Sequence, residues 1–451
     1  MKDEQLYYFE KAPIGQSILH FSLPMIIAML LSVVYGILNI YFIGFLNNSH
    51  MIAAITLATP VFALQMGIGN LMGVGGGTFI SRLLGNKQYR ETKKVASVVI
   101  YISAILGLLT LALTLPFTHQ IALFLGATGK TLTYTTHYLF IMLLGTPAVI
   151  LFFALEQLMR AEGSPMMSMV GMVASVLINM ILDPIFIFGF HLDIRGAALG
   201  TLISNIVAII IYMVYIQRKS SVLSLKFSDF KPSDTMLQEI MKIGIPAFLM
   251  SVLMGFSGLV LNMFLTSYGN SAVAAYGIQF KLIQFPELIV MGLCEGVVPL
   301  IAYNYMSNKQ RMKQAVWYII GTIVVLVGLS MAVVIFFGTP IVSQFTNDPH
   351  IIAEAVFMLK ITSASLFMNG IGFMLIGMMQ AAGLGRASMI MAVSPAVIII
   401  VVINIMNSLF QLNGVIWTFF ISEALVALLA MAIVYFMRDE FVVDTDQLIE
   451  E

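Results

Sequence analysis

Charge is scarce in this chain. It has 22 basic and 22 acidic residues among 451, or 10% charged, where soluble domains carry about 25%. Cysteine is almost missing: Cys294 stands alone, which excludes an internal disulfide and any multi-cysteine metal centre. The 6 histidines are scattered without HExxH or paired spacing, so no zinc or iron site is expected. A net charge of zero provides no field that would draw nucleic acid or an acidic partner. The glycine-rich "GIGNLMGVGGGT" at 67–78 lacks a following GK[ST] and lies inside an apolar run, so close helix packing explains it better than phosphate binding. The longest polar loop, 218–238, is far too short for a nucleotide-binding domain, which excludes ATP-driven transport. The start, "MKDEQLYYFEKAPIGQ", lacks the basic region of a signal peptide, so the first apolar run is expected to remain in the mature chain.

What the chain has is apolar length. Hydrophobic residues make up 60% of it, and about 20 in succession cross a bilayer. Twelve spans are read, at roughly 17–46, 52–82, 95–116, 132–159, 165–190, 196–217, 239–267, 272–304, 314–337, 350–380, 387–411 and 414–437. The expected class is an all-α polytopic membrane protein. Turn chemistry separates the spans, as in "NNSH" at 47–50, "EGSP" at 162–165 and "GLGR" at 383–386. Basic residues gather in alternate loops: Arg82, Lys87, Arg90, Lys93 and Lys94; Arg160; Arg218, Lys219, Lys226, Lys231 and Lys242; Lys309, Arg311 and Lys313; Arg386. Lys2, Lys11 and Arg438 place both ends on the same side. That side is the cytoplasm by the positive-inside rule.

Offset by about 222 residues, the chain resembles itself. "FSLPMIIAMLLSV" (21–33) faces "IGIPAFLMSVLMG" (243–255), and Asn-Lys-Gln recurs at 86–88 and 308–310. Near offset 220, "LMRAEGSPMMSM" (158–169) faces "MMQAAGLGRASM" (378–389). The expected organisation is an N-terminal lobe at 1–217, a cytoplasmic linker at 218–238, and a C-terminal lobe with a short tail at 239–451. Two six-helix bundles related by a pseudo-two-fold axis along the membrane normal form a transporter architecture. A channel or a purely structural membrane protein has no need of that repeat.

The embedded charges mark the candidate site. "NMILDPIFIFGF" at 179–190 holds one acid, Asp183, in a nearly apolar run. Such a charge is costly unless it is paired, protonated or functional. Asp183 falls roughly 27 Å along its helix from the cytoplasmic start, at 1.5 Å per residue. Asn179 lies one turn earlier on the same face, and Pro184 frees a backbone carbonyl nearby. These hard oxygens suit Na⁺ or a proton relay; the bland reading is a polar cluster that only holds helices together. Glu156 stands four residues before Arg160, where an ordinary ion pair would satisfy it. Glu287 follows Pro286 in mid-span, with Met291 one turn on, and suits a cationic drug; pairing with Lys281 is its bland reading. The embedded set is five acids (Glu156, Asp183, Glu287, Glu295, Glu423) against Lys281. Most of the 33 methionines are filler, but Met-rich surfaces re-pack around varied ligands.

Several stretches resemble the multidrug and toxic compound extrusion (MATE) family. They are "LPMIIAMLLSVVYGILNIYFIG", "LEQLMRAEGSPMMSMVGMVASVLINMILDPIFIFG" and "GVVPLIAYNYMSNKQ", and the resemblance runs from Lys11 to Arg438. It implies a secondary multidrug antiporter that exchanges lipophilic, mostly cationic drugs for H⁺ or Na⁺ by alternating access, not an enzyme. The family's cation site implies Asn179, Asp183 and Thr201 here, with Asn39 where relatives carry a first-span aspartate. Asn262 and Asn369 stand where some relatives carry acids in the second half, so coupling is expected in the first. With one full carboxylate at the site the expectation is H⁺, exchanged at Asp183; Na⁺ at Asp183 and Asn179 is the alternative, should Glu156 reach the same cavity. The drug-lining candidates are Glu287, Met291, Tyr35 and Asn205. No cofactor beyond the coupling ion is expected, and the protein should be a monomer in a bacterial cytoplasmic membrane. A flippase for a lipid-linked precursor is the other reading. Its pyrophosphate cargo would want a basic cavity, which five acids against one lysine disfavour.

Overall fold

The computed structural model describes residues 2–46 and 48–441, with the side chains of 2–5, 37, 40, 254–257 and 259 left aside. Asn47, in the first expected turn, and the tail from 442 lie outside the described residues. In chain order the helices are α1 (Lys2–Glu10), α2 (Ile14–Gly44), α3 (Ser49–Gly85), α4 (Tyr89–Thr114), α5 (Thr118–Phe124), α6 (Gly129–Leu144), α7 (Thr146–Ala161) and α8 (Pro165–Pro184). They continue with α9 (Asp193–Arg218), α10 (Asp234–Thr266), α11 (Asn270–Ser307), α12 (Lys309–Val342), α13 (Pro349–Ala381), α14 (Gly385–Phe436) and α15 (Arg438–Phe441). No strand occurs among the described residues.

Ten of these are long and apolar enough to cross a bilayer, or eleven when α6 and α7 are taken as one span bent by 53°. The expected twelve is reached only if α14 counts twice. Its 52 residues would run roughly 78 Å as one straight helix, and it breaks at Gln411, where φ is 51° and ψ −134°. The 132–159 run, read from sequence as one span, is divided at Gly145 with Pro147 just beyond. Gln65 of α3 steadies this bend, donating to Thr146 Oγ1 at 2.7 Å and to the Met142 carbonyl at 3.2 Å.

The internal repeat reappears in the backbone. After α7, Gly163 (φ 88°) lets Ser164 N–H reach the Met159 carbonyl at 3.0 Å. After α13, Gly383 (φ 76°) lets Leu384 N–H reach the Met379 carbonyl at the same 3.0 Å. Both are helix ends closed through a left-handed residue, and they lie 220 residues apart.

The chain forms two compact units. One holds the chain up to Lys11 with Ile27–Val252; the other holds Ala12–Ile26 and the chain from Leu253 onward. The division differs from the expected cuts at 217 and 239. The linker packs with the first unit, through Ser97 Oγ to the Lys226 carbonyl (3.1 Å) and Tyr101 to the Leu225 carbonyl (2.8 Å). The start of α10 does the same through Arg82–Glu239 and Asn70–Ser251, both at 3.2 Å. In the second unit, Ser22 Oγ donates to the Leu293 carbonyl at 3.1 Å and Arg311 Nη2 to Ser17 Oγ at 3.0 Å.

Helix α8 shows how the sequence builds this fold. Its buried side chains are largely small or polar, Ser168, Gly171, Ser175, Asn179 and Asp183 among them. Met166, Val170, Leu177 and Ile181 are exposed. A water-soluble helix would have this pattern reversed. In hydrocarbon it is favourable, because small residues let backbones approach and the apolar face meets lipid.

Candidate functional site

The polar face of α8 lies on α9, and the first unit gathers its embedded acid there. Asp183 is fully buried, and neither carboxylate oxygen has a hydrogen-bond partner among the described residues. Asn179 is 2% exposed. Its Nδ2 donates to Thr201 Oγ1 at 3.2 Å and to Ser204 Oγ at 3.4 Å, and its Oδ1 has no partner. One turn lower, Ser175 Oγ donates to Asn205 Oδ1 at 3.0 Å and approaches Ser204 Oγ at 3.4 Å. Asn179, Asp183 and Thr201 are therefore brought together. Asn205, expected among the drug-lining residues, is 7% exposed and its carbonyl is engaged by Ser175.

Tyr35 of α2 completes this group. Its hydroxyl stands close to Thr201 and lies within electrostatic reach of Asp183. Asn39 of the same helix joins it, its Nδ2 donating to the Tyr35 hydroxyl at 2.5 Å. Tyr138 of α6 also stands close to Asp183. Nothing in the sequence marks Tyr138 beyond its place one turn after Tyr134 on the same helix face. Beyond Asp183, Pro184 has no N–H to donate, and the helix widens into π-turns over Ile185–Gly189, with Phe190 N–H on the Ile185 carbonyl at 3.0 Å. Such widened turns are common at functional sites.

Glu156 requires a correction. Sequence offers it as a second carboxylate for the Asp183 site, but it pairs with Arg160 at 3.5 Å, both side chains almost wholly buried. It also accepts from Ser168 Oγ at 3.4 Å. Ser168 lies 15 residues before Asp183 on α8, roughly 22 Å along the helix. A carboxylate held there cannot reach the ion site.

The second unit has an acidic site of its own. Glu287 of α11 is half-buried, with Met291 similarly half-buried one turn on, and lies within electrostatic reach of Tyr276 and Glu423. Glu423, beyond the break in α14, stands close to Asn369 of α13. Lys281 is exposed, and no ion pair joins it to Glu287 among the described residues. From sequence Glu423 reads no more specifically than an acid able to pair across helices. Its only signal was the repeat: offset by 222, position 423 corresponds to Thr201. No group of three or more His, Cys, Asp or Glu able to hold a metal ion occurs among the described residues.

Membrane-length helices, an internal repeat in the backbone and acids buried within those helices are the features of a polytopic membrane transporter. The MatE family profile matches residues 24–185 and 246–406, one segment in each sequence repeat. The chain is 59% identical over 450 residues to the multidrug export protein MepA of Staphylococcus aureus, covering 100% of both. To MepA of Staphylococcus haemolyticus it is 58% identical over the same length. Among solved structures, it shares the fold of an outward-facing multidrug resistance MATE family transporter (TM-score 0.90, 22% identity, 97% of this chain and 98% of that one). It also shares that of a MOP superfamily transporter from Pyrococcus furiosus (TM-score 0.89, 22% identity, the same coverage). The chain belongs to the MatE family, which places it among multidrug efflux transporters in a bacterial cell membrane.

Proposed function

We propose that this protein is an antiporter that exports lipophilic, mostly cationic drugs in exchange for protons, with Asp183 as the exchanging group. The observation that carries the reading is a cluster of three buried acceptor oxygens, two on Asp183 and one on Asn179, with no donor partner. Buried acceptors without donors are costly, and a proton or cation relieves them. Among the described residues one carboxylate lies there, since position 39 is an asparagine and Glu156 bonds Arg160. Na⁺ favours a denser set of charged oxygens, so a single acid fits H⁺ better. Glu287, Glu423 and Met291 supply negative charge and a soft thioether for the drug. The transporter works as a monomer in the cytoplasmic membrane, with both termini inside, and needs no cofactor but the ion. The flippase reading gains no support from these buried acids, which would repel a pyrophosphate.

The test is efflux of a fluorescent organic cation from proteoliposomes with proton and sodium gradients imposed separately. Export should follow the proton gradient and cease with an ionophore at fixed sodium. Asp183→Asn should abolish it at normal protein levels. Export that survives proton collapse overturns the proton assignment, and full export by Asp183→Asn overturns the site.

A further inference from the structure

A side-chain amide can face either way, and the two ends do opposite things. Turned one way, Asn179 would give its NH₂ to Asp183; turned the other, it gives a carbonyl oxygen. Its neighbours on α9 decide. Thr201 Oγ1 donates to the Ala197 carbonyl at 3.1 Å. Ser204 Oγ donates to the Thr201 carbonyl at 2.9 Å. Each hydroxyl has a single proton, and each proton is committed to its own helix backbone. Both oxygens can therefore only accept, and both lie within reach of Asn179 Nδ2. The amide must send its two N–H groups to α9. Its Oδ1 is left buried and without a partner, like both oxygens of Asp183 one turn away. Ser175 and Asn205 back the arrangement from the next turn.

We propose that Ser204, acting with Thr201, is a positioning residue of the coupling site: it locks the Asn179 amide so that the site presents acceptor oxygens and no donor. The proposal rests on Asp183 exchanging the coupling ion. An NH₂ released toward Asp183 would satisfy the carboxylate from within, and the site would no longer need an incoming ion. The lock thus keeps the cluster incomplete until the ion arrives.

The test uses the full chain in proteoliposomes, with a fluorescent organic cation as probe. Drug binding without a gradient and gradient-driven export are measured side by side. Ser204→Ala removes one of the two acceptors and leaves Thr201 in place. It should lower gradient-driven export by about tenfold, the scale of one misplaced hydrogen bond to a charge, with drug binding little changed. Ser204→Thr keeps the hydroxyl and should restore export. The proposal is overturned if Ser204→Ala exports normally, if it loses drug binding in step with export, or if Ser204→Thr fails equally. Asp183→Asn in the same assay separates the two readings. If it exports normally, the exchanging-group reading fails. If it is inactive while Ser204→Ala is normal, only the lock fails.

Discussion

Asp183 Oδ1 packs against the bare backbone of Gly200: a β-carbon built at Gly200 would stand 2.5 Å from that oxygen and 3.5 Å from Asn179 Nδ2. The position has no side chain because the acid occupies its space. Gly200→Ala should displace the carboxylate from Asn179 and cut gradient-driven export by about tenfold or more. The cost to folding should be about 1–3 kcal/mol, the usual penalty for overpacking. Transport and thermal unfolding of the purified variant check this together. Normal export would mean that the carboxylate does not need its present place.

A second expectation concerns Glu287. Two acids near one another in the second unit, with Asn369 on Glu423, give a dication more to bind than a monocation. Glu287→Gln should weaken export of dications by about tenfold or more, since one unit charge even roughly 12 Å away is worth about 1.4 kcal/mol at an effective dielectric of about 20. Monocations should lose less. Paired transport assays with one substrate of each charge decide, and equal losses would assign Glu287 a purely structural part.

Much of this was legible in the sequence. The Asn179–Asp183 pair could be read because helical spacing alone places i and i+4 on one face. The repeat was visible in "RAEGSP" against "QAAGLGR", and the matching turns at Gly163 and Gly383 are its structural counterpart. Tyr138, Ser204 and Glu423 were not legible, because their neighbours come from helices far along the chain and spacing carries no information about which helices meet. Glu156 was open to two readings, since i+4 spacing to Arg160 is compatible with an ion pair or with a free acid. Only burial on both sides decides for the pair. The unit boundary shifted for a similar reason: linker residues 225–226 are bound by Ser97 and Tyr101, which no loop composition announces.

The Glu156–Arg160 pair should carry stability rather than transport. Both groups are almost fully buried, and removing one partner of a buried pair commonly costs about 3–5 kcal/mol. Glu156→Gln, nearly isosteric, should lower the melting temperature and the yield of folded protein. Export per folded molecule should hold. Lost coupling in well-folded Glu156→Gln would contradict the structural role.

Glu162 yields a pH dependence of stability. It caps the turn after α7 outside the membrane-spanning segments, and burial raises its pKa from 4.5 to about 7, opposed in part by hydrogen bonds from Ser220, Tyr215 and Ser164. The Ser220 hydroxyl donates at 2.6 Å. Below pH 4.5 the folded and unfolded chains both hold this proton, and the folded state bears no ionisation penalty. Between 4.5 and about 7 the unfolded chain releases the proton while the folded chain retains it. Stability therefore falls as pH rises through that window, by at most about 1.4 kcal/mol per pH unit. Above about 7 both states are ionised and the loss levels off. Glu162→Gln cannot ionise, so its melting temperature should change less across the window than the parent's. The variant should gain most on the parent above pH 7 and least near pH 4.5. Thermal unfolding in detergent at a series of pH values measures both curves. Parallel curves for parent and variant would show that Glu162 ionises as readily in the folded chain as in the unfolded one.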